Sequence, residues 1–344
     1  MDLHVADPLE HPDWDARVLS STDYSFFHSA AWARTLVESY GFRPSYLVAP
    51  GKDSFALMMP LLEVDSWLTG RRGVSLPFTD QCLTLAANDE LRAEAVRFAL
   101  RHGGERNWRY VEWRDAGCLE DQMPASELFY VHEVDLRRTE EEVFLSLSDN
   151  NRRNIKKARR EGVTVRIGTA PDDIETFYRL NLITRKRHGL PPQPLVFFRK
   201  VFEHVLSRDQ GIVITALHQG RAVASSVFFH LGRKAIYKYG ASDMAHQHIR
   251  PNNLVIWEAL AWYSARGFHS LSLGRTEMQN PGLLQFKRTW GGTERIAKYH
   301  LYDLRARDYV RLRAPASARF ERLFSRMPTA VLRIVGRFFY RHAA

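Results

Sequence analysis

The spacing of apolar residues switches repeatedly between a helical period and a strand period, and the switches lay out the chain. SAAWARTLVESYGF predicts a helix: Ser29 stands at its start, Trp32, Leu36 and Tyr40 share one face, and Gly41 closes it. SYLVAP and SFALMMPLLEV predict strands joined by a GKDS turn, and GVSLPF predicts another. DELRAEAVRFALRHGG predicts an amphipathic helix, YVEWR a strand, and residues 119–130 a loop. The second half repeats the theme. EEVFLSLSDNNRRNIKKARREG predicts a helical segment, VTVRI a strand, and DDIETFYRLNLITRKRHG and LVFFRKVFEHVLSR two further helices. GIVITALHQ, AVASSVFFHLG and AIYKYGAS predict three successive strands, followed by the helix NNLVIWEALAWYSARG and the strands SLSLGR and RIAKYHLYDL. Two similar α/β units are the economical reading, set at residues 1–142 and 143–312, with a helical tail over 313–344.

Charge changes this picture at the tail. The chain carries a net +10, and from Arg305 onward ten arginines face only Asp308 and Glu321, a net of +8. The body is close to neutral, which argues against a general nucleic-acid coat. In the tail, Phe320, Leu323, Phe324 and Met327 share one helical face; Leu332, Val335, Phe338 and Phe339 share another, with Pro328 between. Two readings stand open: an interfacial helix on anionic lipid, or a helix docking its apolar side on the body.

A second basic concentration lies within Leu147–Val165, where Arg152, Arg153, Lys156, Lys157, Arg159 and Arg160 crowd together. On a helix, Leu147, Ile155 and Ala158 face inward and the cations form a solvated side. No aromatics are interleaved for base stacking, so the run can supply phosphate contacts but no sequence readout.

A 45% hydrophobic and 26% charged composition is that of a folded globular protein. Cys82 and Cys118 lack metal or disulfide spacing, the N-terminus lacks an apolar signal core, and no long apolar run is present. A reducing cytoplasmic location is the expectation. His246 and His248 lack a third ligand, so no metal site is expected, and no phosphate-loop, nucleophile-elbow, zincin or dinucleotide motif is found. The segment SLGRTEMQNPGLLQFKRTWGG leaves a predicted strand into a predicted Gly-rich loop, where α/β proteins place ligands. Within it Lys287 stands between Phe286 and Trp290. Rings packed on both sides would orient its ammonium toward an oxyanion, or it is an ordinary surface lysine.

RRNIKKARREGVTV, YKYGASDMAHQHIRPNNLVIWEAL and LGRTEMQNPGLLQFKRTWGG together resemble the Fem-type (FemAB) peptidyltransferases and the related BioF-like acetyltransferase domain. FFHSAAWARTLVESYGFRPSYLVA and GVSLPFTD match in order, extending the likeness over residues 24–303. The resemblance implies α/β architecture with two tandem GNAT-like (acyl-CoA N-acyltransferase) domains. It implies transfer of an acyl or aminoacyl group to an amine of a cell-envelope precursor, of peptidoglycan or exopolysaccharide. The family's FK pair falls on Phe286 and Lys287, which would be catalytic. Arg187, at the end of a TxxR pattern from Thr184, and Arg34 would contact the acceptor. Tyr237, Tyr239, Asn252 and Asn253 fall on the YxYGAS and PNN motifs, and Arg275 and Trp290 flank the FK pair as substrate contacts. No cofactor is bound tightly; the donor is acyl-CoA or an aminoacyl-tRNA. The long coiled-coil arm of tRNA-using members is absent, and HQHIRPNN stands where a coenzyme A pyrophosphate loop would be, so the donor stays undecided. The remaining expectations are membrane contact through the tail and no sequence-specific nucleic acid. A non-catalytic member that binds a phosphorylated precursor or RNA as an assembly factor is the alternative.

Overall fold

The computed structural model describes residues 3–114, 123–311 and 323–342. Cys118 and Phe320 lie outside them, and Cys82 is a buried free thiol. The chain forms two compact units, Met1–Phe129 with Ile296–Pro315 and Phe338–Ala344, and Tyr130–Arg295 with Ala316–Arg337. The first division thus falls at 129/130 instead of the expected 142, because a strand begins inside the expected loop and carries the chain across.

In chain order the first stretch contains β1 (His4–Ala6), α1 (Trp14–Leu19), α2 (Ala30–Tyr40), β2 (Arg43–Pro44) and β3 (Tyr46–Pro50). It continues with β4 (Phe55–Met59), β5 (Leu62–Ser66), β6 (Gly70–Val74), β7 (Leu85–Ala86), α3 (Asp89–Glu105) and β8 (Tyr110–Arg114). Then come β9 (Glu127–Asp135), α4 (Glu140–Ser146), α5 (Asp149–Arg160), β10 (Thr164–Gly168), α6 (Pro171–Arg187) and α7 (Leu195–His204). The strands β11 (Gly211–His218), β12 (Arg221–Leu231) and β13 (Lys234–Ser242) lead to α8 (Pro251–Ser264) and β14 (Ser270–Glu277). The chain closes with α9 (Pro281–Arg288), β15 (Thr293–Asp303), β16 (Asp308–Tyr309) and α10 (Thr329–His342).

In the first unit, β1, β3, β4 and β7 form one sheet, and β8, β6, β5 and β2 are neighbours in order in another. The expected single strand SFALMMPLLEV is two strands, one in each sheet, because Pro60 has no N–H to donate to a ladder. Its core packs Leu47, Leu57, Met59 and Trp113 against Ala95 and Ala99 of α3.

In the second unit the strand order is β10-β11-β12-β13-β14-β9, with successive strands from β10 to β13 antiparallel and β13–β14 a parallel pair. α5 and α8 bury Ile155, Ala158, Val255 and Leu260 with Ile214 and Phe228 of the sheet. The expected helix over 141–162 is two helices. The first stops at Ser146, and Ser148 caps the second by accepting from the Asn151 N–H at 3.3 Å.

The tail helix α10 does pack, but of the expected face only Leu332 is fully buried. Leu332, Gly336 and Tyr340 are buried, while Phe338 and Phe339 point outward. A Cβ at Gly336 would lie 2.0 Å from the Pro192 carbonyl oxygen, so only glycine allows the helix backbone so close.

Candidate active site

The second unit's parallel pair is short. β13 and β14 are in register only from Lys234↔Ser270 to Ile236↔Ser272, after which β13 runs to Ser242 and β14 to Glu277 with no further pairing between them. The carboxyl ends of parallel strands whose pairing stops are the usual ligand site of an open α/β sheet. A bulge in β13 accompanies this. Val227 pairs with Tyr239 and Phe228 with Tyr237, so Lys238 is the extra residue.

The bulge separates the two tyrosines that the sequence grouped together. Tyr237 packs with Phe228 on the α8 side, and its hydroxyl occupies the space that a Cβ on Gly240 would need, 1.7 Å away. Burial raises its phenol pKa, partly offset by a hydrogen bond with Ser226. Tyr239 instead enters a ring cluster with Phe177, Phe197, Phe198 and Phe229. One motif therefore serves both faces of the sheet.

Lys287 lies on α9, not on a loop. Asn280 caps this helix by accepting from the Leu283 N–H at 3.1 Å, and Pro281 fills its first position. In the last turn the Lys287 side chain turns inward and is only 3% exposed. Its Nζ donates to the Gly274 carbonyl at 2.9 Å and the Arg275 carbonyl at 2.8 Å. Gly274 has φ +71°, a left-handed kink in β14 that presents these two carbonyls to one ammonium. Phe286 and Trp290 contact each other edge-to-face at 5.6 Å. Two backbone oxygens thus hold the ammonium in place. Arg275 enters the site through its carbonyl. Trp290 Nε1, Trp257 Nε1 and Thr276 Oγ1 are buried with no hydrogen-bond partner among the described residues.

Two residues that the sequence reading missed complete this neighbourhood. His132, on β9, is fully buried, and its Nε2 meets Glu294 at 2.8 Å. Glu294 also takes two hydrogen bonds from Arg288, at 2.7 and 2.8 Å, which hold its carboxyl down to about 2. Desolvation lowers the His132 pKa, with the Lys287 charge among the lesser causes and Glu294 opposing them, so burial favours the neutral ring. A carboxylate accepting from Nε2–H leaves Nδ1 as a buried lone pair, and it has no partner among the described residues. The signal was alternation: His132 shares a face with the core residues Val134 and Leu136.

Asn151 is the other. It sits on the inward stripe of the basic helix α5 with Ile155 and Ala158. Its Nδ2 donates to the Thr289 carbonyl and hydroxyl at 3.1 and 3.0 Å, and its Oδ1 accepts from Asn253 Nδ2 at 2.9 Å. Asn252 reaches Ser242 Oγ at 3.3 Å, and Ser242 exchanges backbone bonds with the Thr184 hydroxyl. The PNN asparagines therefore tie α8 to α5 and to the end of β13. The cations of α5 lie outside this stripe. Arg152 pairs with Asp149, Arg159 meets Glu258 at 2.9 Å, and Arg152, Arg153 and Lys156 line a cavity of about 310 Å³.

The remaining candidates make other contacts. Arg187 lines a cavity of about 600 Å³ with Arg179, Ile183, Lys186 and Thr329, and its guanidinium meets His188 at 2.8 Å. Arg34 belongs to the first unit, half-exposed on α2, with Glu38 at 4.0 Å. His246 and His248 turn to Asp243 and to the Ala245 carbonyl.

Residues 146–288 match the acetyltransferase (GNAT) domain family. The chain is similar to the UDP-N-acetylmuramoylpentapeptide-lysine N(6)-alanyltransferase of Weissella viridescens, 24% identical over 97 residues, or 28% of this chain. That match spans 29% of the relative's length. The fold is similar to the crystal structure of FemX, with a TM-score of 0.68 and 13% identity over 86% of this chain and 96% of that one. It is also similar to a tandem GNAT protein from the clavulanic acid biosynthesis pathway, with a TM-score of 0.57 and 9% identity over 92% and 99% of the two chains. Residues 146–288, which carry the β13–β14 divergence and the Lys287 site, are thus the part that matches the acetyltransferase (GNAT) domain model, within a fold similar to FemX and to a tandem GNAT protein.

Proposed function

We propose that this protein transfers an acyl or aminoacyl group to an amine of a cell-envelope precursor. The observation that carries this reading is the Lys287 ammonium, buried and fixed on the Gly274 and Arg275 carbonyls beside the divergence of β13 and β14. In such a transfer the acceptor nitrogen adds to the donor's carbonyl carbon and the carbonyl electrons move to oxygen. Collapse then expels the donor's alkoxide or thiolate, which takes up the proton that the nitrogen loses. A fixed positive charge in a water-poor site stabilises the oxyanion without reorganising during the step. Trp290 Nε1 and Thr276 Oγ1 are further buried donors in the same segment, and the neutral His132 supplies a lone pair that can hold the migrating proton.

The relative in Weissella viridescens carries, by its name, an alanyl group to N(6) of the lysine of UDP-N-acetylmuramoylpentapeptide. An ester or thioester donor and a lysine-type amine acceptor are the chemistry proposed here, with the Arg-rich tail suiting work at the inner face of a membrane. Purified protein offered labelled aminoacyl-tRNA or acyl-CoA with amine-bearing wall precursors should give labelled amide with one donor. No amide with either would overturn the reading. One observation favours a second reading, a binder without turnover: Lys287 donates to two main-chain carbonyls, a bond pattern that also serves structure alone. In that case precursor binds and no amide forms.

A further inference from the structure

The tip of the β5–β6 hairpin is built the wrong way round for water. Tight turns favour small polar residues, yet this one carries Trp67, 86% exposed, and Leu68, 63% exposed. The tip is held firmly from beneath. Ser66 Oγ meets His342 Nδ1 at 2.9 Å, and Thr69 Oγ1 and Arg72 Nη2 donate to the His342 carbonyl at 2.9 and 2.7 Å. The Trp67 and His342 rings meet edge-on at 5.6 Å.

His342 ends α10, and the last turns of that helix carry the same inversion. Since its packed stripe is Leu332, Gly336 and Tyr340, Phe338 and Phe339 are left 67% and 47% exposed. Val331 and Ile334 are exposed earlier on the same helix. Arg333, Arg337 and Arg341 interrupt this apolar row, and the sequence TAVLRIVGRFFYRH contains no acid.

We propose that the Trp67–Leu68 tip and the Phe338–Phe339 face of α10 form a surface that inserts into the interface of an anionic phospholipid bilayer. Charge complementarity selects that occupant. Arginines set among exposed aromatic and aliphatic side chains match a negative headgroup layer above an apolar one, and Trp is the side chain most at home at that boundary. No helix among the described residues is long and apolar enough to cross a membrane, so the contact is peripheral. This deepens the membrane location suggested for the transfer reaction, and its test needs neither donor nor acceptor.

The full chain is sedimented with vesicles of equal parts phosphatidylglycerol and phosphatidylcholine, and with vesicles of phosphatidylcholine alone. Binding is expected to the first and to be about tenfold weaker to the second. The double variant Trp67→Ser/Phe338→Ser, both at exposed positions, should lose about tenfold in binding to the anionic vesicles while its thermal unfolding is unchanged. Brominated lipid should quench Trp fluorescence in the native chain and less in a Trp67→Phe variant. The proposal is overturned by absence of binding to anionic vesicles, or by binding that the double variant leaves intact. Concentration-dependent dimerisation that the double variant abolishes, without vesicle binding, would overturn it too by assigning the patch to a second copy.

Discussion

Asn151 shows how one buried polar side chain can set the geometry around a site. It holds both the Thr289 end of α9 and the first turn of α8 through Asn253. Asn151→Ala takes away the partner of the buried Asn253 amide and should destabilise the fold by about 1–3 kcal/mol in urea unfolding. His132 makes a different prediction. Its folded pKa lies below the ordinary 6.5, so between 6.5 and that lower value the unfolded chain binds a proton that the folded one does not. Stability therefore falls as pH drops below about 6.5, and His132→Gln should flatten part of that slope. An unchanged slope in pH-dependent unfolding would show that His132 stays equally protonated in both states. Neither residue stood out in the sequence, because an inward Asn or His on a periodic stripe differs from its apolar neighbours only in what it touches.

At the level of elements, the strand meander of β11, β12 and β13 was readable, since long apolar runs and glycine turns punctuate it. The bulge at Lys238 was not, because a one-residue slip depends on the partner strand. α9 reads as loop in the sequence even though Asn280 and Pro281 are a cap and a first-turn residue, because four glycines around so short a helix outweigh them. α10 was recognised as amphipathic, but its docking side was misjudged. Apolar spacing pointed to Phe338 and Phe339, whereas the close approach to Pro192 selects the stripe containing Gly336. Gly336→Val places carbons inside the Pro192 carbonyl, and we expect a loss of about 1–3 kcal/mol. Hydrogen exchange over Leu332–Tyr340 is the readout; protection equal to that of the native chain would mean the contact is not what holds the helix.

For the whole molecule, two α/β units could be read from the order of elements, but not where the chain passes between them. β9 and β15 each span a division, and strands that do so leave no linker composition to mark it. The family motifs indicated the Lys287 neighbourhood because they are local in sequence. The contacts of His132, Asn151 and α10 are distant in sequence and needed the fold. The chemistry proposed for the second unit rests on the charge that Lys287 brings to the end of β14. The most direct measurement compares amide formation by the native chain and by Lys287→Ala, using the donor found to be active and a lysine-type acceptor, with precursor binding measured alongside. Turnover should fall by about 10²–10³-fold with precursor affinity nearly unchanged. Turnover within about twofold of the native chain would contradict the proposed chemistry.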